Sequence, residues 1–163
     1  MIFVTVGQML GFDRLIMAMD RWAERHPDEV VFAQVGDGRY KPKAMRWTEM
    51  VPGATFKSTV AGAELIVAHA GMGSFFVAME MGKPIVMMAR RADLGEHTTD
   101  HQIDTLKWLR EKPQVFPADA ETDLPAAVSR ARAAARERRG RTSQFQPFAP
   151  PPFIAKLRAA ILS

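Results

Sequence analysis

Short runs of β-branched and apolar residues, at positions 2–6, 30–35, 64–70, 85–88 and 115–116, are separated by segments whose apolar residues fall at helical spacing. The first run ends in Gly7, and Phe12, Leu15, Ile16, Met19 and Trp22 then mark one face of a helix. Further helices are expected over 52–63, 74–81, 99–110 and 122–139. Residues 36–51 read as irregular. Successive strands joined through helices pair in parallel and are covered on both faces, so the expected fold class is α/β, a doubly wound parallel sheet. Residues 140–152, GRTSQFQPFAPPP, carry four of the eleven prolines and break the pattern. They read as a linker before a last helix, 153–162, giving a sheet domain over 1–139 and a linker with a C-terminal helix over 140–163.

At 163 residues and 47% hydrophobic content the chain can bury one core and not two. It has no cysteine, which removes disulfides, thiolate metal sites and a cysteine nucleophile. The opening MIFVTVGQ has no basic leader, and no apolar run reaches about 18 residues, so a cytoplasmic location is expected. The formal charge is +4, with much of the excess between Arg130 and Arg141. That run lacks the interleaved aromatics that stack on bases, so it reads as a solvated helix face and nucleic acid is not expected as a partner.

Two stretches carry candidate chemistry. In His69-Ala70-Gly71-Met72-Gly73-Ser74 a strand ends in a glycine-containing turn that opens a helix. Ligands of open parallel sheets lie beyond the carboxyl ends of the strands, glycines admit a close backbone approach, and a helix N-terminus favours phosphate. A tight turn with Ser74 as helix cap is the plainer alternative. Residues 89–102, ARRADLGEHTTDHQ, leave the next strand at the same edge with Arg90, Arg91, Glu96, His97, Asp100, His101 and Gln102. His97 and His101 stand four apart, as in a zinc pair, but no third ligand is evident and no metal site is expected. No loop contains Asp-x-Asp, so binding of a phosphate ligand without a divalent ion is expected. Neutral hydrogen-bonding groups at a phosphate-binding edge suit a hydroxyl-rich ligand.

MIFVTVG with FDRLI, AQVG, ELIVAHAGMGS and GKPIVMMARRADLGEHTTDHQ together resemble the donor-binding half of the family containing the MurG-type N-acetylglucosaminyltransferases, over residues 1 to about 110. Within it the second block is most similar to the free-standing, PssE-like subunits of bacterial exopolysaccharide synthesis.

The resemblance implies a single Rossmann-like half of a GT-B glycosyltransferase that binds a UDP-sugar and needs no cofactor. It places Gly71, Met72, Gly73 and Ser74 with His69 at the diphosphate, Gly7 and Gln8 close by, and Asp100, His101 and Gln102, with Glu96 and His97 in the same block, toward the sugar. Family members hold the ribose with a glutamate at the position of Val77, and Glu80 is the nearest acid. Arg90 or Arg91 is expected to neutralise the diphosphate or to read a glucuronyl carboxylate. The resemblance further implies an inverting transfer to a lipid-linked saccharide, with the base supplied by a membrane-associated, PssD-like acceptor subunit that recruits this chain to the inner membrane face. The catalytic residues are not identified. An N-acetylglucosaminyltransferase subunit and a non-catalytic nucleotide-sugar-binding module are the alternatives. The last helix, with Ile154, Leu157 and Ile161 in a stripe and Phe145, Phe148 and Phe153 before it, is expected to help hold the acceptor half.

Overall fold

The computed structural model of the chain describes residues 1–137 and 149–162. The strands are β1 (Ile2–Thr5), β2 (Val31–Gln34), β3 (Arg46–Thr48), β4 (Leu65–His69), β5 (Ile85–Met88) and β6 (Val115–Ala118). The helices are α1 (Asp13–Glu24), α2 (Gly53–Gly62), α3 (Met72–Glu80), α4 (His101–Leu109), α5 (Leu124–Glu137, entered through a 3-10 turn at Glu121–Asp123) and α6 (Pro151–Leu162). The strands form one parallel sheet in the order β3-β2-β1-β4-β5-β6.

Successive strand residues point to opposite faces, and both faces of this sheet are buried, which is why its strands are apolar runs without alternation. On one face Val4, Val67 and Val86 meet Leu15, Ile16, Met19 and Trp22 of α1 and Leu124, Ala127, Val128 and Ala131 of α5. On the other, Phe3, Ile66, Ile85 and Met87 pack with Val60 of α2, Phe75, Ala78 and Met79 of α3, and Leu106 and Leu109 of α4.

The segment expected to be irregular contains the edge strand β3, whose residues pair with Phe32, Ala33 and Gln34 of β2. Only three residues long and with Arg46 and Trp47 exposed, it has no apolar signature of its own. Its approach is fixed from α1. The buried carboxylate of Asp20 accepts hydrogen bonds from the Tyr40 hydroxyl at 2.6 Å and from the backbone N–H groups of Lys43 and Ala44 at 3.0 and 2.8 Å.

The C-terminal region differs from expectation in two places. α6 begins at Pro151, so the last two prolines read as linker occupy the first turn of the helix, where the missing N–H costs nothing. No residue of α6 is buried, so it does not pack on its own sheet. Phe145, Phe148 and the final two positions of the helix expected over 122–139 lie outside the described residues.

Because Asp20 alone accepts three donors in a buried place, Asp20→Ala leaves them unpaired. Urea unfolding should show a loss of about 3 kcal/mol. A loss below about 0.5 kcal/mol, the range of neutral surface changes, would contradict this role.

Candidate functional site at the carboxyl edge

The chain runs β1 to β2 to β3 toward one edge of the sheet and β4 to β5 to β6 toward the other. The direction of travel therefore reverses between β1 and β4, and loops leaving neighbouring strands in opposite senses open a crevice there. Thr5 of β1 pairs with Ala68 of β4, and His69 pairs with Met88 of β5. The loops following these strands, 6–12, 70–71 and 89–100, consequently emerge side by side.

His69 fills the floor of the crevice. Its ring lies between two glycines: a Cβ on Gly7, whose φ is +83°, would come within 2.6 Å of the His69 Cε1, and one on Gly71 would overlap the Nε2 edge. Glycine at 7 and 71 is thus required by the packing of this protein itself. Gly73 is different. A Cβ there meets nothing within 4 Å, so the bare backbone at the start of α3 has no internal cause. Gly71 is the residue before the helix, and no side chain caps it. The N–H groups of Met72, Gly73 and Ser74 have no carbonyl four residues back within the helix and form its positive end. Ser74 stands inside the helix, which rules out its capping role; its hydroxyl makes no hydrogen bond among the described residues.

The His69 Nδ1 is buried and makes no hydrogen bond of normal geometry, the Thr5 backbone being the polar group that bears on the ring. Burial, and secondarily the positive charge of Arg90, push the imidazole down to about 4, so at neutral pH it is uncharged. An uncharged imidazole edge thus lies against the Gly71 turn, and the first amides of α3 beyond it have no acceptor within the helix.

Arg90 holds the first loop in place. Its Nη2 donates to the carbonyls of Val6, at 2.7 Å, and Leu10, its Nε to that of Gly11, and its guanidinium lies 5.0 Å from the centre of the Phe12 ring. With 3% exposure it is not the ligand-reading cation the sequence suggested. The loop is also gripped from β2: Gln34 Nε2 donates to the Gly7 carbonyl at 2.7 Å, and its Oε1 accepts from the Val51 N–H. Gln8 is exposed, beside Met9 and residues 36–37 and 49–50.

In the third loop the structure separates scaffold from surface. Glu96 accepts both Nε and Nη2 of Arg14 at 2.7 Å in a forked pair and the Arg91 N–H at 2.9 Å. It ties α1 to this loop. Arg14 also donates to the Ala89 carbonyl and pairs with Glu121. Gln102 is buried, its Oε1 accepting from the Arg90 N–H, so this oxygen too is committed to the fold. Asp100 accepts the Ala92 N–H through one oxygen while remaining exposed. Arg91 is exposed and paired with Asp93 at 2.6 Å. His97 and His101 meet edge to face with ring centres 4.5 Å apart, and among the described residues no cluster of three potential metal ligands forms. Glu80 sits at the far end of α3, roughly 12 Å from Met72 at 1.5 Å per residue, and pairs with Lys57 at 3.0 Å. It is therefore remote from the glycine turn, and Val77 has no acid in its place.

On the far side of the first loop a second cleft, of about 530 Å³, lies between the start of α1, residues 37–39 and residues 94–96. Its carboxylates already have partners: Asp13 accepts the N–H groups of Arg39 and Tyr40, and Asp37 that of Gly11.

The buried neutral His69 makes stability depend on pH. Its folded value is about 4 against 6.5 for the free imidazole. Between these values the unfolded chain binds more protons, so stability falls as pH drops from about 6.5 to about 4, by about 3 kcal/mol in total. Urea unfolding across this window should give a shallower slope for His69→Gln than for the wild type; equal slopes would contradict the burial of a neutral imidazole.

The comparisons with known proteins agree with this architecture. The model of the glycosyltransferase family 28 C-terminal domain matches residues 1–139. The UDP-N-acetylglucosamine transferase subunit ALG13 of Mus musculus is 29% identical over 138 residues, 78% of this chain and 11% of that protein. Among solved structures, the calicheamicin glycosyltransferase CalG4 is similar with a TM-score of 0.54 at 21% identity over 86% of this chain and 37% of that one. The kitacinnamycin glycotransferase gives 0.59 at 18% identity over 84% of this chain and 36% of its own. SnogD of Streptomyces nogalater gives 0.52 at 19% identity over 99% and 43%. These solved structures share the fold, and the chain spans less than half the length of each of these four proteins. With its sheet domain matched from the first residue to position 139, the chain belongs to the family of the glycosyltransferase family 28 C-terminal domain.

Proposed function

We propose that this chain is the donor-binding part of a two-part inverting glycosyltransferase, with the diphosphate of a UDP-sugar seated at the start of α3. The observation that carries the reading is Gly73. Its missing side chain has no internal explanation, and it belongs to the row of open amides of Met72, Gly73 and Ser74 that follows the His69–Gly71 turn. Those groups suit the charge that gathers on UDP as it leaves. In the transfer, an acceptor hydroxyl attacks the anomeric carbon and loses its proton to a base, while the bond from that carbon to the UDP oxygen breaks and UDP takes the electron pair. His69 is enclosed on the donor side and does not reach an acceptor. The base and the acceptor site therefore belong to a separate PssD-like subunit at the membrane, which presents a lipid-linked saccharide. The word "subunit" in the mouse relative's name is consistent with such a division.

Two donor sugars fit the reading. Glucuronic acid, as in exopolysaccharide synthesis by a PssE-like branch, requires a cation for its carboxylate. With Arg90 committed to the first loop, Arg91 is the remaining arginine of the pair, and it would exchange Asp93 for the sugar. N-acetylglucosamine is favoured by the mouse relative's name. Calorimetric titration with both UDP-sugars distinguishes them: Arg91→Ala should weaken UDP-glucuronate selectively in the first case and neither donor selectively in the second.

The seat itself is tested by Gly73→Val. Since a Cβ at 73 enters open space, the variant should fold with unchanged thermal stability within about 0.5 kcal/mol, and UDP affinity should fall at least tenfold, about 1.4 kcal/mol. A folded Gly73→Val protein that binds UDP as the wild type does would overturn the reading.

A further inference from the structure

We propose that α6 is an interfacial helix that lies directly on an anionic phospholipid surface. At about 100° per residue, Phe153, Leu157, Ile161 and Ile154 fall within an arc of about 100°. All are open to solvent: Phe153 is 53% exposed, Ile154 and Leu157 47%, and Ile161 78%. Lys156 lies about 60° beyond one border of that arc and Arg158 about 40° beyond the other, with Ala155, Ala159 and the exposed terminal Leu162 on the opposite side. Cations that bracket an apolar stripe extend to the headgroup level while the stripe enters the acyl boundary.

The charge distribution selects the partner. Residues 138–163 contain Arg138, Arg139, Arg141, Lys156 and Arg158 and neither Asp nor Glu, a charge of +5. The total is +4, so residues 1–137, with 17 Lys and Arg against 18 Asp and Glu, carry −1. The whole positive excess is thus collected in the segment that ends in the exposed apolar stripe. A complementary surface is both negative and apolar, which describes an anionic bilayer. At 1.5 Å per residue the 12-residue helix is about 18 Å long, too short for a hydrocarbon core of about 30 Å, so it lies in the membrane plane. Among the described residues no helix is long and apolar enough to cross a membrane.

The test is flotation of the purified full chain with phosphatidylcholine vesicles, with and without phosphatidylglycerol. The protein should float with the anionic vesicles, less in high salt, and not with phosphatidylcholine alone. Leu157→Glu with Ile161→Glu should abolish flotation, and Lys156→Ala with Arg158→Ala should weaken it roughly 25-fold, at about fivefold per cation. Because α6 buries no residue, both variants should keep the wild-type unfolding midpoint and UDP affinity, which separates this proposal from the donor-site reading. Absence of flotation, flotation indifferent to phosphatidylglycerol, or flotation retained by the Leu157→Glu, Ile161→Glu protein would overturn it. So would a wild-type protein that ignores vesicles but loses a co-expressed acceptor subunit on the same substitution, which would assign the stripe to protein docking.

Discussion

The Arg90 guanidinium ties together the parts of the carboxyl edge. It follows β5 and donates to the carbonyls of Val6, Leu10 and Gly11, so the first loop takes its course from a residue about 80 positions away. Phe12 stacks under it, and Arg14 approaches the same ring at 5.2 Å before reaching Glu96 in the third loop. The same charge helps keep His69 neutral. An arginine buried on three carbonyls without a carboxylate in direct contact is costly to desolvate, and its hydrogen bonds offset this only while the loop keeps its path. The course of the first loop, and in part the charge state of the imidazole, consequently depend on one side chain.

The order of the sheet turns this local arrangement into a site. The change of direction between β1 and β4 places the Gly7 and Gly71 turns next to each other, and the His69 ring between them demands glycine at both. A ring that needed only to fill space would have its nitrogens satisfied or solvated. Here the Nε2 edge meets the Gly71 turn, before a helix end that no side chain caps, while Nδ1 is buried on the Gly7 side. Such a helix end lacks acceptors for its first amides, and an anionic ligand supplies them.

Much of the fold was legible because a parallel sheet buried on both faces writes its strands as continuous apolar runs, and the α1 stripe from Phe12 to Trp22 is strongly periodic. β3 was not legible, since a short charged edge strand has no such signature and its approach is held by Asp20 from an earlier helix. At the site, the glycine turn and the polar block could be found as sequence clusters. What each residue does there could not. Arg90, Glu96 and Gln102 look like ligand-binding groups in the sequence, yet their partners Val6, Arg14 and the Arg90 N–H make them scaffold, and those pairings arise from folding. Likewise the three glycines of the crevice look alike until the His69 ring divides them into two required by packing and one that is not.

The most direct measurement is a titration of ¹⁵N-labelled protein with UDP, followed by amide and imidazole resonances. The account predicts the largest shifts at the N–H groups of Met72, Gly73 and Ser74 and at the His69 imidazole, with the second cleft around Asp13 and Asp37 little changed. Shifts concentrated at that second cleft, or an unaltered His69 in a protein that binds UDP, would contradict it.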